Sequence, residues 1–161
     1  MDALHPYRAA IRPEWIDYNG HLRDAYYVVL LSEAIDDLMD QIGLDAGYRE
    51  RTRCTLYTLE LHMHYLKEVK ESEQLEVATS ILDADGKRIH AGCRFTCGST
   101  QDAVATGDLM LLHVHQGPTP AGAPFPADVA HRLQSLVLPA DASAAWGPRS
   151  RKLEIRRRPA P

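Results

Sequence analysis

The sequence predicts an α+β fold in which a five-stranded antiparallel sheet wraps around one long central helix. Two observations carry that expectation. A single long stretch has helical period, and it is followed by four stretches whose apolar residues alternate. Residues 7–14 read as a first strand, closed by Pro13-Glu14. From Asp24 the period becomes helical, with Tyr27, Val28, Leu30, Leu31, Ala34, Ile35, Leu38, Met39 and Ile42 recurring at three- and four-residue spacing. Asp24 is placed to cap this helix and Gly43 to end it. Its first half, Ala25 to Leu31, is apolar on nearly every side, as expected if a sheet curls around it. A short second helix falls over Ala46–Arg53.

From Leu56 the period is two, with Tyr57, Leu59, Leu61, Met63 and Tyr65 on one face and Thr58, Glu60, His62 and His64 on the other. Leu75 to Ile81 continues the alternation, Asp83-Ala84-Asp85-Gly86 marks a hairpin, and Ile89 to Cys97 returns. Gly98 to Asp102 turns into a last strand, Ala103 to His115. The Pro- and Gly-rich stretch 117–126 is a loop, and Ala127 to Val137 forms a short amphipathic helix.

A chain of 161 residues fits one domain, here expected over 1–138, with 139–161 a basic, Pro-containing tail. The net charge of −4 argues against nucleic acid as a partner, because such affinity rests on a basic face. Met1 to Pro6 has neither the basic nor the apolar region of a secretory signal, and no apolar run nears the ~18 residues of a membrane span. The three cysteines, Cys54, Cys93 and Cys97, include no C-x-x-C pair; reduced thiols and a cytoplasmic location are the expectation.

The chemistry concentrates in Trp15-Ile16-Asp17-Tyr18-Asn19-Gly20-His21, a carboxylate in a turn ahead of the long helix. Such a carboxylate can attack a carbonyl or activate water, while N–H groups between Gly20 and Asp24 hold the developing oxyanion. Gly20 permits close backbone approach, and His21 positions the turn or donates a hydrogen bond. The competing reading makes Asp17 and Asn19 turn and capping residues only. The pairs His62/His64 and His113/His115 share strand faces, but no carboxylate or cysteine completes a ligand set, so no metal is expected.

The run Pro13 to His21, followed by Tyr27 and the long helix, resembles the hotdog-fold acyl-CoA thioesterases of the 4-hydroxybenzoyl-CoA thioesterase type, over about residues 5–116. Within that group, Tyr57-Thr58-Leu59-Glu60-Leu61-His62, Tyr65-Leu66-Lys67-Glu68-Val69, Asp85 to His90, Leu112-His113-Val114 and Ala123 to Pro126 resemble the betainyl-CoA thioesterases of carnitine breakdown. The chain departs at Leu22-Arg23-Asp24, where many relatives carry an Asn-rich turn, and at Ser72-Glu73, where Gly-Asp is common. The first departure bears on the acyl pocket.

The resemblance implies thioester hydrolysis without a cofactor, coenzyme A being part of the substrate, in a homo-oligomer whose site lies between subunits. It implies a nucleophile or general base at Asp17. Glu60 would come from the strand beside the helix, to polarise water or face a cationic acyl group. Trp15, Tyr18 and Tyr57 suit a quaternary ammonium through cation–π attraction. Lys87 and Arg88 at the hairpin are candidates for the coenzyme A phosphates, and Asn19 for substrate contact. Two alternatives stay open. Hotdog hydratases carry Asp-x-Asn-Pro-x-His, with the histidine five residues after the aspartate; here His21 is four after Asp17 and Gly20 replaces the proline. A non-catalytic acyl-CoA-binding domain needs no competent Asp17.

Overall fold

A computed structural model describes residues 3–98, 102–140 and 142. The strands are β1 (Tyr7–Ala10), β2 (Cys54–Tyr65), β3 (Gln74–Ala84), β4 (Arg88–Cys97), β5 (Ala103–His115) and β6 (Ala121–Gly122); the helices are α1 (Asp24–Ile42), α2 (Ala46–Thr52) and α3 (Ala127–Leu136). The sheet is antiparallel in the order β1-β3-β4-β5-β2, with the two-residue β6 added along β5. The five expected strands are therefore present, and β6 is a sixth inside the stretch read as loop. Of the expected tail, residues 141 and 143–161, with Arg149, Arg151, Lys152 and Arg156–Arg158, lie outside the described residues.

α1 buries the predicted face, from Tyr27 through Leu30, Leu31, Ala34, Ile35, Leu38 and Met39 to Ile42, in one core with Val77, Ile81, Ile89, Ala91, Phe95, Leu109 and Leu111 of the sheet. Gly43 ends it at φ +92°, a left-handed conformation that costs glycine nothing. Asp24 is not the cap. Arg23 holds the N-cap position, and Asp24 is the first helical residue, its carboxylate accepting the Ala25 N–H at 2.8 Å. The two exposed valines, Val28 and Val29, correct the expectation of a helix start covered on all sides.

Three further differences have physical causes. β1 stops at Ala10, because Pro13 has no N–H for the sheet and starts a 3-10 turn, Pro13–Trp15. The alternation in β2 breaks at a bulge between Thr58 and Glu60, which leaves Leu59 unpaired. Before it Leu56 reaches the core; after it Leu61 and Met63 do, so Tyr57 and Leu59 are exposed rather than packed with them. Lastly, β2 pairs with β5 and not with β3. Residues 66–73 therefore cross the end of the sheet, and this crossing positions the site.

Candidate active site

The Asp17 turn is local chemistry. The Gly20 N–H returns to the Asp17 carbonyl at 3.0 Å, and Gly20 sits at φ +82° with open space around it. The Asp17 Oδ1 accepts the N–H of Asn19 at 2.8 Å and of His21 at 3.1 Å. The His21 N–H first, and the Asn19 N–H with it, hold the Asp17 carboxyl below its ordinary value against a smaller desolvation effect. Asp17 is thus a turn residue that stays ionised, and no lysine or arginine pairs with it among the described residues.

The crossing fastens this turn to the sheet. The Leu22 N–H donates to the Val69 carbonyl at 2.8 Å, His21 bridges to Lys70, and His21 Nε2 lies 3.0 Å from a Glu68 carboxylate oxygen. Between turn, helix start and crossing lies a cavity of about 300 Å³ lined by His21, Leu22, Asp24, Tyr27 and the run Tyr65–Glu68. Tyr27 and Tyr65 meet edge to face at 5.3 Å, and the Tyr65 hydroxyl donates to the Asp24 carbonyl at 3.3 Å.

The oxyanion donors are fewer than the sequence suggests. Gly20 and His21 both donate to Asp17, Leu22 to Val69, and Arg23 to the Trp15 carbonyl at 3.0 Å. Ala25 serves the Asp24 side chain, and Tyr26 the Arg23 carbonyl. Between Gly20 and Asp24, the Asp24 N–H alone has no partner among the described residues.

The other candidates do not gather here. Trp15 is buried, stacked on Tyr26 at 5.2 Å, and its ring already carries the Arg12 guanidinium at 4.9 Å. Tyr18 is 94% exposed and does not line this cavity. Glu60 points to the face away from α1, since Leu61 packs inward, and lies 2.9 Å from His62 Nε2. Tyr57 pairs with Leu112 about 25 Å along β2 from Tyr65, at roughly 3.3 Å per residue. Arg88 opposes the same Leu112, so Lys87 and Arg88 also belong to that far end. Arg88 is bound to Asp85 through Nε at 2.9 Å and Nη2 at 2.6 Å.

His113 is structural. It is buried, its Nδ1 donates to the Ala123 carbonyl at 2.9 Å, and its Nε2 then accepts from the Tyr48 hydroxyl at 2.9 Å. All three cysteines are free and buried, and burial pushes the Cys97 thiol up to about 11. The sequence reading missed Asp24 and Tyr65 as cavity walls. The signals were present in the Leu22-Arg23-Asp24 departure and in the Tyr65 to Val69 motif.

A long helix wrapped by an antiparallel sheet is the architecture of a hotdog protein, and residues 11–133 match the thioesterase-like superfamily, to which the chain belongs. The chain is 43% identical over 133 residues to the betainyl-CoA thioesterase of Pseudomonas aeruginosa PAO1, covering 83% of each. Among solved structures it is similar to a thioesterase candidate from Pseudomonas putida KT2440 (37% identity, TM-score 0.74, covering 98% of this chain and 99% of that one). It is also similar to a Staphylococcus aureus protein in complex with CoA (25% identity, TM-score 0.77, 94% of each).

Proposed function

We propose that this chain hydrolyses betainyl-CoA to betaine and free coenzyme A. The observation that carries the reading is the turn that keeps the Asp17 carboxylate ionised and whose His21 and Leu22 line a cavity at the start of α1, Asp17 itself standing behind that lining. The similarity to the P. aeruginosa betainyl-CoA thioesterase supports the acyl group. Asp17 either takes a proton from the attacking water, or attacks the thioester carbonyl to form a mixed anhydride that water then cleaves, releasing betaine and restoring the carboxylate. Charge developing on the carbonyl oxygen meets the Asp24 N–H, and coenzyme A leaves as a thiolate. His21 orients the turn through Glu68. No cofactor takes part, and a cytoplasmic location agrees with the free thiols.

The working unit is a dimer paired through β2. This strand is a long sheet edge with exposed Tyr57, Leu59 and Tyr65, flanked by exposed Val28 and Val29 of α1. An edge of that kind attracts a second strand. Antiparallel pairing of two β2 strands sets the Tyr57 end of one protomer against the Tyr65 end of its partner. Tyr57, Glu60, Lys87 and Arg88, remote from Asp17 within one chain, then approach it from the other.

Thiol release by purified protein across an acyl-CoA panel tests this reading, with turnover expected to be highest on betainyl-CoA. Absence of betainyl-CoA hydrolysis overturns the substrate. Hydration of an enoyl-CoA favours the hydratase alternative, and tight binding without turnover the sensor alternative.

A further inference from the structure

We infer that Asp24 and Tyr65 form a cation subsite that selects the quaternary ammonium of the acyl group and disfavours neutral and anionic acyl groups. The inference rests on the thioesterase reading above and names what that site recognises. The cavity, which the Asp17 turn reaches through His21 and Leu22, is small, and its one lysine is committed. Lys67 is held by Asp102 at 2.6 Å, and His21 Nε2 lies 3.0 Å from the exposed Glu68 carboxylate. Asp24 is the lining carboxylate at the start of α1, and no cation pairs with it among the described residues. Its one side-chain bond is to the adjacent Ala25 N–H.

Tyr65 and Tyr27 supply the second element, two rings in edge-to-face contact lining the same cavity. A ring face attracts a cation, and a carboxylate beside it adds direct charge attraction. Both phenols are neutral at neutral pH from their ordinary value near 10, and partial desolvation raises them further. For Tyr65 the Asp24 charge adds to the effect, and Tyr27 is pushed up to about 12.

Position makes the arrangement selective. The Asp24 carboxylate sits on the residue whose N–H is the open oxyanion donor, so by itself it opposes negative charge on the reacting carbonyl. In a betainyl thioester the ammonium is attached to the carbon next to that carbonyl, which cancels the opposition. A neutral acyl group leaves it in force, and an anionic one worsens it. The resulting specificity combines attraction and repulsion.

The test compares betainyl-CoA with its neutral isostere, tert-butylacetyl-CoA, in wild type, Asp24→Asn and Tyr65→Leu. The quantity read is the ratio of the two kcat/KM values, and its change between proteins removes the intrinsic reactivity of each thioester. Asp24→Asn is expected to lower the ratio about tenfold or more, and Tyr65→Leu about threefold. The Tm of each variant, read against wild type, serves as the folding control. An unchanged ratio in Asp24→Asn overturns the subsite, including the case where both substrates slow equally, which makes Asp24 a general catalytic group. Failure of wild type to hydrolyse either thioester is a different result and overturns the thioesterase reading.

Discussion

Asp17 and Asp85 use the same turn chemistry to different ends. Each offers Oδ1 to two nearby backbone N–H groups, from Asn19 and His21 in one turn and from Lys87 and Arg88 in the other. At Asp85 the second oxygen is taken by the Arg88 guanidinium. Burial pushes the Asp85 carboxyl up, and Arg88 with the two N–H groups outweighs it, for a net lowering. At Asp17 no such cation arrives among the described residues, and the turn is fastened to the crossing instead. Turn geometry alone therefore does not separate the structural Asp85 from Asp17, for which a reactive role is proposed. What separates them is whether the second oxygen is already committed to a cation.

Asn substitution sharpens this contrast because it keeps the turn acceptor and removes the charge. Asp17→Asn is expected to lower kcat by about 10²–10⁴-fold, read by thiol release, with Tm close to wild type. Near-normal turnover breaks the comparison. Next in size is Leu59→Lys, which places a charge on the free edge of β2. It should yield monomers by light scattering and lose most activity, since Asp17 then lacks the partner's end of β2; an active monomer removes the dimer from the mechanism.

Asp85→Asn should leave kcat unchanged and cost about 1–2 kcal/mol of stability, a Tm decrease of about 2–6 °C. The sign with pH follows from the lowered carboxyl. The Asp85 contribution is present above the unfolded value near 3.8 and is lost as pH falls through the still lower folded value. The Tm difference between wild type and Asp85→Asn should therefore close only below about pH 3.8. Asp17 is lowered too, so kcat/KM should show no acid limb from it above 3.8. Gly20→Ala is expected to cost a similar amount, about 1–2 kcal/mol of stability read as Tm, from left-handed strain alone, since no atom crowds the position.

Local patterns were the legible part of this molecule. The period of α1, the left-handed stop at Gly43 and the Asp17 turn all depend on neighbouring residues, and each stands where the pattern placed it. What depended on distant pairing was not legible. The bulge at Leu59 reverses which β2 side chains face the core, and alternation cannot register an inserted residue. The placement of β2 beside β5 sent residues 66–73 across the site, and turn signals do not encode strand order. The Leu22 and Arg23 N–H groups were counted as oxyanion donors because their acceptors, on Val69 and Trp15, become visible only in the folded chain.

The stitching of Leu22 to Val69 and of His21 to Lys70 also has a kinetic consequence. These partners are far apart in sequence, so closing that loop carries an entropic cost that local turn formation does not. The Asp17 turn can form early from its own neighbours, but it has no wall to work against until β2 has joined the sheet and the crossing has been laid down. Recovery of hydrolysis during refolding should therefore lag the recovery of helical signal, which makes turnover a reporter of completed topology.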